Sequence, residues 1–108
     1  MMRILVVEPG KQPEEREIDG SLESMQQIVG GLIQAIYPFD DTVALICNDE
    51  GKLLGLPLNR PLFDEDGNLY DIIAGTFFVA GLSDDDFASL SPELTQKYSD
   101  HFKTVYLF

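Results

Sequence analysis

Gly75-Thr76-Phe77-Phe78-Val79-Ala80-Gly81 is aromatic, apolar and bounded by glycines, the strongest strand signal in the chain. Upstream, Leu69 to Ile73 forms a second apolar run, introduced by the polar turn Glu65-Asp66-Gly67-Asn68. Val43 to Asn48 reads as another strand, with Val43, Leu45 and Cys47 on one face. The turn Asp49-Glu50-Gly51-Lys52, its glycine supplying a positive φ, leads that strand into a return arm starting at Leu53-Leu54. Ile33, Ala35 and Tyr37 alternate with their neighbours in a strand stopped by Pro38.

Nearer the start, Leu22, Met25, Ile28, Val29 and Leu32 recur at helical spacing. This helix opens at a Ser21 or Asp19 cap and closes at Gly30-Gly31. Met2 to Val7 is aliphatic without clean alternation, so it predicts a strand buried on both faces and ended by Pro9-Gly10. Lys11 to Glu17 reads as a hairpin arm or an edge strand. Beyond Gly81, Ser83 followed by Asp84, Asp85 and Asp86 has the capping chemistry of a short helix over about 83–90. Ser91-Pro92-Glu93 opens a last helix over about 91–103, lined by Leu94, Tyr98 and Phe102. Val105 to Phe108 is an apolar tail that suits a final strand. This order predicts one α+β domain over 1–108, with a mainly antiparallel sheet, one amphipathic helix at about 21–31 and two C-terminal helices packed on it.

Of 108 residues, 44% are apolar and 24% charged, an ordinary globular balance. Seven basic against 19 acidic residues give a formal charge of −12. Such a surface repels phosphate backbones and offers no cationic cluster, which argues against direct nucleic-acid binding. A single cysteine, Cys47, leaves no internal disulfide and fits a reducing cytoplasm. No apolar run approaches the roughly 18 residues that span a bilayer, so neither a membrane nor a signal peptide is expected.

Several segments resemble the domain-of-unknown-function family 3846 of bacteria and phages. They are Gly20-Ser21-Leu22-Glu23-Ser24-Met25-Gln26, Val29-Gly30-Gly31, Tyr37-Pro38-Phe39, Asn48-Asp49-Glu50-Gly51, Gly55-Leu56-Pro57-Leu58-Asn59-Arg60 and Asp71-Ile72-Ile73-Ala74-Gly75-Thr76-Phe77. The resemblance covers nearly the whole chain. It implies an association with phages, plasmids and conjugative elements, and carries over no catalytic residues.

Arg60 is the only basic residue between Lys52 and Lys97, an interval with eight acids. Held between Pro57 and Pro61, it is either a guanidinium fork for a carboxylate or phosphate, helped by Asn59, or a clamp paired with a neighbouring Asp. Loss of fold stability in Arg60→Ala would mark the clamp. The run Asp64 to Asp71 fails the calcium-loop pattern: with Gly67 at the sixth position, Leu62 and Ile73 fall where ligands are needed. Asp84 to Asp86 diverge around a helix, so no metal and no cofactor is expected. Cys47 lies on a core-facing strand side, typical of an inert thiol, and His101 borders an apolar face; phosphate-loop and nucleophile-elbow motifs are absent.

Three functions compete. The first is a non-catalytic interaction or accessory module of a mobile element with a protein partner, including a second copy of itself through exposed edge strands. The second is a DNA-mimicking anti-restriction or inhibitor protein. The third is a small-ligand binder or enzyme whose candidate residues are Asn59, Arg60, Tyr37, Tyr70 and Asp71. The first fits the chain best, since no catalytic constellation is visible.

Overall fold

The computed structural model describes residues 1–84 and 86–108. In chain order the elements are β1 (Met2–Val7), β2 (Glu14–Ile18), α1 (Leu22–Val29), β3 (Ile33–Ile36), β4 (Val43–Asn48), β5 (Leu58–Phe63), β6 (Leu69–Ala74), β7 (Phe77–Ser83), β8 (Asp86–Ala88) and α2 (Pro92–His101). The main sheet runs β2-β1-β7-β4-β3, entirely antiparallel, and β8 pairs with the end of β7. A separate β5–β6 hairpin completes the α+β architecture.

The central strands alternate between two apolar layers. Ile4, Val6, Ala44, Ile46, Phe78 and Ala80 face α1, which buries Met25 and Val29 against them. Leu5, Val7, Leu45, Phe77 and Val79 face the opposite side, where Leu62 and Ile73 of the hairpin meet Tyr98 and Phe102 of the α2 region. Covering both faces explains why β1, β4 and β7 read as nearly unbroken apolar runs. At about 1.5–3 kcal/mol for each fully buried large side chain, the adjacent pair Phe77 and Phe78 anchors both layers from one strand.

Both helix starts match their sequence signals. The Ser21 and Ser91 hydroxyls accept from the backbone N–H groups of Ser24 and Leu94. Gly30, at φ 78°, closes α1 in the left-handed conformation.

Three expectations are corrected. The predicted helix at 83–90 is a hairpin: Gly81 pairs with Ala88, Leu82 with Phe87 and Ser83 with Asp86. Pairing along β7 overrides capping propensity, because a helix so short is marginal without tertiary support. Asp84 turns the chain at φ 51°, a conformation Asp tolerates, while Asp85 lies outside the described residues. Gly81 is required here, since a Cβ on it would stand 2.5 Å from the Ser89 carbonyl oxygen.

The second correction concerns Asp49 to Lys52, which does not close a hairpin. Strand β4 pairs with β3 and β7, and Leu53-Leu54 belong to a looped crossing towards β5. Gly51 is not in the positive-φ region; it is small because its Cβ would approach the Ala74 carbonyl oxygen to 2.7 Å. The third is the tail: 105–108 forms no strand, and Leu107 and Phe108 are exposed.

Candidate functional site

The β5 strand carries Asn59 and Arg60 inward together. Adjacent residues of a regular strand point to opposite faces, yet both are buried, at 0% and 1% exposure. A register shift between Leu58 and Arg60 supplies the reason, since a bulge re-aims the extra residue. The Asn59 amide donates to the Val7 carbonyl at 2.8 Å and the Gly75 carbonyl at 2.9 Å, joining the end of β1 to the approach to β7. Its Oδ1 accepts from Arg60 at 2.8 Å.

Arg60 then donates from Nε to the Phe102 carbonyl at 3.0 Å and from a terminal nitrogen to the Lys11 carbonyl at 2.6 Å. Phe102 is the C-cap of α2, so the guanidinium sits where the helix dipole is negative. The pairing with a neighbouring Asp is not what forms: among the described residues Arg60 makes no ion pair, and backbone carbonyls replace the carboxylate. Burial pulls its pKa down and Tyr106 opposes that shift. The guanidinium remains charged across ordinary pH.

A second polar cluster fastens α2 to the β3–β4 connection. Lys97 Nζ and the Tyr98 hydroxyl both donate to Asp41 Oδ2 at 2.6 Å. The Lys97 and Tyr98 hydrogen bonds hold the Asp41 pKa below its usual value. Burial, then Asp41, pushes the Tyr98 phenol up. Because the folded carboxylate is the stronger acid, its stabilisation is full above the unfolded value of about 3.9 and is lost as the pH falls through the lowered folded value. Asp41→Asn should therefore weaken the acid dependence of the unfolding midpoint below about pH 4 while leaving its slope near pH 7 unchanged. An identical acid limb in the variant would rule out this linkage. His101 packs against Phe39 and Phe102, and desolvation followed by Lys97 lowers its pKa.

A groove of about 330 Å³ opens between β3–β4 and β6. Gln34, Ile36 and Cys47 line it from β3 and β4, the loop from Asp49 to Leu53 forms one rim, and Tyr70 to Ala74 the other. Five consecutive β6 residues line it, so the edge of that strand faces the groove, since side chains alone would alternate. Lys52 reaches across to Asp71 at 2.6 Å. Asp71 Oδ1 also accepts the Ile72 N–H at 2.8 Å. Cys47 is 5% exposed, with its sulfur 3.7 Å from the Gln34 carbonyl oxygen. Burial first, then Asp71 and Asp49, pushes the thiol up to about 11, so it stays protonated near neutral pH. No hydrogen bond joins Cys47 to His101 among the described residues.

The five candidate residues thus separate. Tyr70 and Asp71 line the groove, while Asn59 and Arg60 lie inside the fold and Tyr37 stands exposed beyond the end of β3. Sequence reasoning missed Lys52 and Leu53 as groove residues because the segment after Asn48 reads as a hairpin turn, and Gln34 and Ile36 because strand alternation alone does not say which edge stays open. Gly51 between acidic residues and Leu53-Leu54 suited a hairpin equally well; the discriminating contact, with Ala74, is long-range.

Among the described residues no three His, Cys, Asp or Glu side chains gather as a metal site, and no helix is long and apolar enough to cross a membrane. A family model described as "Domain of unknown function (DUF3846)" matches residues 2–103. No curated protein and no solved structure matches the chain.

Proposed function

The chain belongs to the DUF3846 family, whose description assigns no activity, and from its geometry we propose a non-catalytic protein-interaction module. Its docking surface is the groove together with the free edge of β3. The observation that carries this reading is an uncharged sheet edge at the mouth of an open groove. Strand edges are ordinarily blunted, and three others here have such devices. Glu14, Glu15, Arg16 and Glu17 put charge along β2, β8 has three residues, and Asp71 occupies the Ile72 N–H on β6. By contrast β3 is Ile-Gln-Ala-Ile, flanked by exposed Leu32 and Tyr37.

Catalysis has less support, since the Cys47 thiol is protonated and Arg60 is turned into the fold. A DNA mimic also has less: Asp19, Asp64 and Asp86 accept backbone N–H groups, while Glu8, Glu14, Glu17, Asp41 and Asp71 face cations. An accessory role on a phage, plasmid or conjugative element is the setting we propose, from the family resemblance.

Selection of a displayed peptide library against the whole chain tests the docking surface. The expected ligands perturb the amide resonances of Gln34, Ile36, Leu53 and Tyr70, and lose affinity when Leu53 and Tyr70 are changed together to Asp. Ligands that bind only elsewhere, or a library that yields none, would remove this reading.

A further inference from the structure

We infer that the β3 edge and its groove receive a cationic, extended segment of another protein, added to the sheet as a further strand. This rests on the interaction reading and names its partner. The backbone supplies the first reason. Asp49 N–H donates to the Leu32 carbonyl at 2.8 Å, and the register continues with Gln34 opposite Cys47 and Ile36 opposite Leu45. In an antiparallel ladder hydrogen-bonded pairs alternate, so Leu32, Gln34 and Ile36 spend their backbone groups on β4. Ile33 and Ala35 turn theirs to the free edge. Four residues give a rail about 13 Å long, closed by Pro38 and flanked by Leu32 and Tyr37, at 58% and 62% exposure.

Charge supplies the second. Gln34 and Cys47 are opposed and both line the groove, so the groove-facing side of an added strand meets Gln34 and Ile36 and then the rim. The two rims together carry three carboxylates, Asp49, Glu50 and Asp71, against the single ammonium of Lys52, already held by Asp71. Asp49 and Glu50 form no ion pair among the described residues. A lysine or arginine on the incoming strand completes them, and the −12 charge of the chain speeds its approach. A second copy brings the same carboxylates and another −12, which opposes self-pairing at this edge.

The experiment titrates isotope-labelled protein with short peptides alternating Thr or Val with Lys, and with counterparts carrying Glu for Lys. The Lys peptides should shift the Ile33 and Ala35 amides and bind at least about tenfold more tightly than the Glu peptides, with affinity falling as salt rises. Ala35→Pro removes a free-edge donor without a ladder bond and should abolish binding. Asp49→Asn with Glu50→Gln leaves the backbone unaltered and should erase the preference for Lys. Equal binding of both peptide sets at Ile33 and Ala35 overturns the cationic partner but leaves the interaction module standing. No shift at β3 or in the groove with either set overturns both. A wild-type dimer in sedimentation that Ala35→Pro dissolves assigns the edge to a second copy and overturns the cationic partner.

Discussion

Arg60→Ala is expected to lower stability by about 3 kcal/mol or more, a fall of roughly 12–24 °C in the unfolding midpoint of a domain this size. The loss comes from the carbonyls left behind. The Phe102 carbonyl and Asn59 Oδ1 accept from the guanidinium inside the fold, and the Lys11 carbonyl accepts at its half-buried margin. Water is poorly placed to replace a side chain that is itself 1% exposed. Arg60→Met tests this directly. It restores most of the volume and removes the cost of burying a charge, so a near-wild-type midpoint would mean that packing, not hydrogen bonding, is the contribution. Arg60→Lys should fall between wild type and Ala, because one ammonium cannot span carbonyls arranged for a planar fork. Amide exchange at the end of α2 should accelerate in all three. An Arg60→Ala midpoint within about 2 °C of wild type would reject the clamp and return the guanidinium to a recognition role.

The same residue shows how far the sequence can be read. Its isolation among acids marked it as important, but the marking pointed to a carboxylate partner, the commonest mate for an exposed arginine. The partners are main-chain oxygens of Lys11 and Phe102, 49 and 42 residues away in sequence, and no local pattern encodes them. The bulge that turns Asn59 and Arg60 inward together is equally silent, since Pro57 and Pro61 suit a loop as well as a distorted strand. Where signals were local and strong, they were legible. Caps at Ser21 and Ser91, the terminal Gly30, the two-sided burial of β1 and the existence of β7 follow from residue chemistry alone. The stretch from Ser83 failed because Asp favours both a helix start and a tight turn, and long β7 extended past Gly81 to settle it. The groove was not legible as such: Tyr70 and Asp71 were grouped with Asn59 and Arg60, which lie elsewhere, and the opposite rim depends on how the chain leaves β4.

Asn59→Ala should cost about 2–4 kcal/mol, for it unties the Val7 and Gly75 carbonyls and strips Arg60 of an acceptor. The more informative variant is Asn59→Asp. Were Asn59 only a mate for the guanidinium, a carboxylate would serve better and the protein would become more stable. But the amide nitrogen faces two carbonyl oxygens, at 2.8 and 2.9 Å, and an Asp oxygen there meets like polarity with no proton to share. Asn59→Asp is therefore expected to be destabilised despite the added ion pair, and a gain in midpoint would overturn the assignment of the amide as a two-way tie. Combining Asn59→Ala with Arg60→Ala measures whether the pair acts as one unit. Because each single change already strands the other's partner, the double mutant should lose less than the sum of the two by about 1–2 kcal/mol. Losses that add to within about 0.3 kcal/mol would mean two separate fastenings that only happen to be neighbours. The coupled result would place the junction of β1, β5, β7 and α2 under a single buried amide–guanidinium pair. That junction lies apart from the β3 edge, so its variants should weaken peptide binding only in proportion to the fraction of protein they unfold.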